Sequence, residues 1–172
     1  MILESGWQYR IPLYVVFGIS CEVLFTAVAN LIHPNFLKSW NAFGKEFSKE
    51  PPSWRSSKRD PRAVGYSFLW MIPIYSLLVF MEPMSRIFSS IPLLLRGSIY
   101  VLIVWIVEYT SGFLIKAISG RCPWDYSHSH WNFHGFIRWD FFPFWFSFML
   151  LAEWFSQKLI LLTPAIERVF AS

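Results

Sequence analysis

Four stretches of this chain are apolar for long enough to cross a bilayer, and a glutamate sits at or near the membrane depth of each: Glu22, Glu82, Glu108 and Glu153. A helix rises about 1.5 Å per residue and the hydrocarbon layer is about 30 Å thick, so roughly 20 apolar residues suffice. Backbone polar groups find no water there, which leaves the helix as the way for such a segment to cross alone. A charge at the bilayer centre costs about 2.5–3.5 kcal/mol on insertion scales. One acid per span therefore points to a bundle held by polar contacts, or to chemistry inside it.

The residue balance agrees. Of 172 residues 55% are hydrophobic and only 15% charged, against about 25% charged in soluble domains. The expected fold is all-α: a polytopic membrane protein with four transmembrane helices in one integral domain, 1–172, spanning about 11–32, 63–82, 92–118 and 141–162. Pro12 suits a helix start, and His33-Pro34, Glu82-Pro83 and Thr163-Pro164 are read as helix ends, because the residue before proline avoids helical geometry. Pro73 is expected to kink the second span without breaking it. The apolar run after MILESGWQYR is too long for a signal-peptide core and is read as a retained first span.

Between the spans lie two contrasting loops. Residues 33–62 hold seven of the 15 Lys and Arg and read as an aqueous basic loop. Within it, Phe36 to Phe47 reads equally as an interfacial helix or a flexible stretch. Attraction to the anionic cytoplasmic leaflet explains these cations better than nucleic acid does. Loop charge places this segment in the cytoplasm, with both termini on the other side. Residues 119–139, the CPWDYS loop, are rich in Trp, His and Phe and are expected to lie on the membrane interface or fold back on the bundle.

Helical spacing gives the acids a direction. Gly18, Glu22, Thr26 and Asn30 recur every four residues and share one face of the first span. Small and polar residues are what helix contact in lipid uses, so Glu22 is expected to point inward. Glu108, Gly112 and Lys116 share a face in the same way, as do Glu153 with Gln157, and Tyr75 with Glu82. Arg96, Lys116, Arg121 and Arg138 are the cations expected to serve these acids.

Other chemistries find little support. His128, His130 and His134 are close enough in sequence to converge on a metal, but no H-E-x-x-H pattern accompanies them, so no metal and no cofactor is expected. Cys21 falls in a span and Cys122 in a loop, which argues against a disulfide, and there is no C-x-x-C. No G-x-x-x-x-G-K-[ST] is present, so the chain is no ATPase by itself. Neither G-x-G-x-x-G nor G-x-S-x-G occurs.

The string CPWDYS at Cys122 to Ser127 carries a resemblance. Together with CEVLFTA around Glu22, VEYTSGFLIK around Glu108, and NFHGFIRWDFFPFWF followed by LLAE, the chain resembles the transmembrane protein 229 family. It is also similar to the related bacterial proteins called putative ABC-transporter type IV, or CmpB. The resemblance implies four spans and singles out Glu22, Glu82, Glu108, Trp124, Asp125, Tyr126, Ser127, Gly135 and Glu153. The loop histidines have no counterpart in that pattern, and Asp140 stands where relatives can carry glutamate. It supplies no substrate.

The candidate site is thus a polar intramembrane set, Glu22, Glu82, Glu108 and Glu153, beside a loop set, Trp124, Asp125, Tyr126 and Ser127. Asp125 is expected to bond helix ends or a cation, and Trp124 and Tyr126 to anchor the loop at the interface. Three functions fit: transport-like binding or passage of a small solute, proton or cation; a non-catalytic membrane scaffold or subunit; and an intramembrane lipid-modifying enzyme. The expected partners are the lipid bilayer and a second copy or larger membrane protein, with no nucleic acid.

Overall fold

The computed structural model describes residues 3–32, 65, 67–127 and 129–171. The basic segment 33–62, its piece Phe36 to Phe47, and His128 lie outside the described residues. The elements in order are α1 (Trp7–Ile32), α2 (Met71–Ser76), a 3₁₀ stretch (Leu77–Phe80), α3 (Met81–Ile87), α4 (Leu93–Ser119), strands β1 (Asn132–Phe133) and β2 (Ile137–Arg138), a 3₁₀ turn (Trp139–Phe141) and α5 (Phe142–Ala171). Among the described residues, two helical stretches, Trp7–Val28 and Leu93–Ser119, are long and apolar enough to cross a membrane. The chain divides into two compact units, with boundaries inside α1 and α4.

Unit 1 comprises Met1–Ile19, Leu69–Ile106 and Phe141–Ser172. Its helical segments alternate in direction. As α1 advances from Arg10 to Phe17, its α5 partners recede from Thr163 to Phe155 and Phe148. As the chain runs from Tyr75 to Glu82, the α1 partners recede from Gly18 to Arg10. As α4 advances from Arg96 to Trp105, α5 recedes from Glu153 through Phe146 to Phe142. This is the up-and-down order of an antiparallel bundle. Gly18 is required at its place, because a Cβ there would collide with the Tyr75 ring.

Unit 2 comprises Ser20–Phe68 and Val107–Asp140. Here the CPWDYS loop folds back onto the last turns of α4. Gly112 lets it approach: a Cβ at that position would stand 2.9 Å from the Phe136 ring and 3.3 Å from both Cys122 Sγ and the Trp124 ring. The strands form a two-stranded antiparallel ladder, Asn132 opposite Arg138 and Phe133 opposite Ile137. The turn between them uses left-handed backbone at His134 (φ 52°) and Gly135 (φ 75°). Asn132 Oδ1 accepts the Gly135 N–H at 2.8 Å and so satisfies the turn's donor.

Several expected boundaries shift, each for a local reason. Helix α1 starts at Trp7, with Pro12 inside it. The turn through Gly6 lets the carbonyls of Glu4 and Gly6 take the N–H groups of Trp7 and Tyr9. The expected span 63–82 is not one α-helix: residues 67 and 68 are non-helical, regular helix begins at Met71, and a 3₁₀ stretch interrupts it at Leu77. Glu82-Pro83 is not an end either. Pro83 falls in the first turn of α3, where no N–H is needed. Pro164 is likewise inside α5, which continues to Ala171. Its continuation packs on the N-terminal turn: a Cβ on Gly6 would meet Thr163 and Glu167. The fold is all-α as expected, with a small β-hairpin of two residues per strand within the expected loop 119–139.

Candidate functional site

The buried face of α1 runs Arg10, Tyr14, Gly18, Glu22, Thr26, one residue in four. The pattern expected from Gly18 to Asn30, of which the Asn30 side chain lies outside the described residues, thus extends two further steps toward the N-terminus. All four glutamates are buried, with Glu82 at 0% exposure. Glu82 and Glu153 belong to unit 1, and Glu22 and Glu108 to unit 2.

In unit 1, Glu82 is held by Arg10, 72 positions earlier. Arg10 Nε donates to Oε1 at 2.7 Å and Nη2 to Oε2 at 2.7 Å, and neither side chain is exposed. This parallel fork is the arrangement a planar guanidinium favours with a carboxylate. Its remaining hydrogens go to Glu4 O, Ser5 O and Thr163 Oγ1. All five guanidinium donors are therefore engaged. Tyr14 lies beside the pair: its hydroxyl is 3.2 Å from Glu82 Oε1 and 2.9 Å from Ser156 Oγ. One network consequently joins the N-terminal turn, α1, α3 and α5.

Glu153, one turn before Ser156 on α5, sits in a second ionic contact. Arg96 Nε is 3.2 Å from Oε2, and the Tyr100 hydroxyl donates to Oε1 at 3.0 Å. Arg96 was among the cations expected from the sequence, and Arg10 was not. The expected neighbour Gln157 is exposed. It lines a surface groove of about 470 Å³ with Ser85, Arg86 and Leu161 instead.

In unit 2, Ser67 Oγ donates to Glu22 Oε2 at 2.5 Å. Gly65 lies against the Val23 carbonyl and the Thr26 hydroxyl, where an added Cβ would collide with the carbonyl. Glu108 is buried one turn before Gly112, which seats the CPWDYS loop. Lys116 is exposed, with its Nζ 5.5 Å from the centre of the Phe136 ring.

The loop residues separate by role. Trp124 and Tyr126 are buried at 5% and 3% exposure rather than turned outward. Trp124 Nε1 donates to Phe136 O at 3.2 Å, and the Tyr126 N–H donates to Gly135 O at 2.9 Å. Asp125 is exposed, and its Oδ1 accepts the Ser127 N–H at 2.9 Å, closing an Asx turn. Arg138 pairs with Asp140 at 2.8 Å. Cys122 is buried under this loop, and burial pushes its thiol up to about 11, with Asp125 and Glu108 adding to the rise and the Trp124 backbone and Lys116 opposing it. The His134 ring meets the Tyr109 hydroxyl at 3.0 Å, while His130 is exposed. Among the described residues, no three His, Cys, Asp or Glu side chains are grouped to hold a metal.

Antiparallel helices joined by arginine–glutamate contacts, two of the described helices long and apolar enough to cross a membrane, suit a helical membrane protein. A family model described as Putative ABC-transporter type IV matches residues 53–170, most of the chain, including Glu82, Glu108, Glu153 and the CPWDYS string. The chain belongs to that family. No solved structure matches it.

Proposed function

We propose that the chain is a four-pass membrane protein of transport type that binds or passes a proton or small cation at Glu22 and Glu108, while Glu82 and Glu153 hold the helices together. The antiparallel order within unit 1 supports four passes, with the broken segment Met71 to Ile87 as the second. The observation that carries the binding role is the Ser67–Glu22 hydrogen bond of 2.5 Å. A hydroxyl donates to a carboxylate and accepts from a carboxylic acid, so this partner serves Glu22 in either protonation state. A guanidinium only donates, so Arg10 and Arg96 match the carboxylate oxygens of Glu82 and Glu153 as fixed structural partners. The basic segment 33–62 would face the cytoplasm, and the CPWDYS string supports a proposed wider kinship with the transmembrane protein 229 family. Nucleotide hydrolysis, where a transport system of this kind needs it, would come from a partner.

The closed Arg10–Glu82 fork favours a second reading, a non-catalytic subunit whose acids all serve structure. Reconstituted Glu22→Gln and Glu108→Gln proteins separate the two. Loss of a pH-dependent cation or proton flux with unchanged melting supports the first. Wild-type flux with lowered stability or lowered recovery of a co-purifying membrane partner overturns it in favour of the second.

A further inference from the structure

The hairpin after the CPWDYS string presents an aromatic face that the loop's own packing does not use. Trp124 and Phe136 are buried within unit 2, and Ile137, paired with Phe133, is the covered member of the hairpin's apolar face. Its other members are not covered: Trp131 is 66% exposed, Phe133 44% and Trp139 42%. The ladder register continues one step outward through the bond from Trp139 N to Trp131 O, 2.9 Å, so these two indoles stand opposite each other at the open end of the hairpin. Phe133 is two residues from Trp131, on the same side of β1, and its ring is 6.2 Å from that of Trp139.

This face joins the apolar flank of α4. The Phe133 ring is 5.8 Å from Tyr109, and Phe113, one turn further along, is 62% exposed with Leu114 and Ile118 exposed beside it. The Phe133 side chain is stacked on His134 at 4.3 Å, and His134 is tethered to the Tyr109 hydroxyl. The aromatic face is thereby fixed to the helix rather than hung on a loose loop. An apolar strip on a candidate span ends in two indoles with Arg121 and Lys116 exposed in the same unit. Indoles favour the headgroup level and cations favour anionic headgroups.

We infer that Trp131, Phe133 and Trp139 form an interfacial anchor that seats the hairpin in the headgroup layer of the bilayer, beside the Phe113 flank of α4. The occupant of this face is lipid. The inference rests on the membrane reading of the chain but not on any transport role.

The test uses the full chain in bilayers of mixed phosphatidylcholine and phosphatidylglycerol, with bromine placed either near the headgroup or deep in the acyl chains. The Trp131 fluorescence component is obtained by subtracting Trp131→Phe, a conservative change at an exposed position. The expected result is quenching of that component by shallow bromine, weaker quenching by deep bromine, and protection from aqueous iodide. Full iodide quenching with no bromine quenching overturns the anchor. A component shielded from both, with cross-linking through Trp131→Cys to a second copy or another protein, overturns it in favour of a protein contact. If no tryptophan in the chain is quenched by brominated lipid, the membrane reading itself fails, which distinguishes the two outcomes.

Discussion

Arg10 and Glu82 are 72 positions apart and meet through two parallel hydrogen bonds of 2.7 Å with no exposure of either side chain. Desolvating both charges is costly, and their attraction offsets that cost only when geometry is good and the remaining donors are satisfied. Both conditions hold, since Glu4 O, Ser5 O and Thr163 Oγ1 take the other guanidinium hydrogens. The pair ties α1 to α3, and through Thr163 it reaches the part of α5 that approaches Pro164.

Removing one partner leaves an uncompensated buried charge. Arg10→Met and Glu82→Leu are each expected to cost about 3–5 kcal/mol, and the double variant to recover much of that loss. Thermal or denaturant unfolding in detergent would measure it. Equal losses in the double variant and the sum of the singles would show that the two residues act independently.

Glu153 stands in a milder setting, because the Arg96 side chain retains 18% exposure. Glu153→Gln keeps an acceptor for the Tyr100 hydroxyl, while Arg96 can turn toward water. The expected loss is about 1–2 kcal/mol, below that for Glu82. The same unfolding assay ranks the two, and a reversed order would mean that the Glu82 network is looser than its bonds imply.

The stripe that organises α1 was legible because it repeats every four residues, and only its extent was not. Arg10 precedes the expected first span, and nothing local marks a cation whose partner arrives from α3. Pro83 and Pro164 misled for a related reason. Proline ends helices by removing a bond and crowding the previous turn, yet Pro83 enters where no bond is required and the Pro164 region is held by contacts to Gly6 and Arg10. The CPWDYS loop was legible as a unit, but not its polarity. Whether Trp124 or Trp131 turns inward depends on Gly112 and the hairpin register, which are contacts between separated residues.

Gly112 makes a sharper test of that loop than any of its aromatic residues. A Gly112→Leu side chain would drive into Phe136, Cys122 and Trp124. Overpacking of this kind costs about 1–3 kcal/mol, and here it would lift the loop off α4. The expected signature is a red shift of Trp124 emission, read against Trp124→Phe, with α-helical circular dichroism unchanged. Unaltered emission would mean that the loop does not rely on this approach.

Cys122 reports on the same seat through its ionisation. Burial raises the thiol to about 11, so the folded protein favours the protonated form. A group whose pKa is raised by folding contributes stability below its unfolded value, near 9.0, and that contribution is lost as pH climbs through the folded value near 11. In a Cys21→Ser background, alkylation should therefore be slow at neutral pH and accelerate with a midpoint near 11, because the thiolate is the nucleophile. Adding Gly112→Leu should move that midpoint down toward 9.0 as water reaches the sulfur. A midpoint already near 9.0 in the unaltered loop would show that Cys122 is solvated, and the packing of Trp124 and Phe136 over it would have to be redrawn.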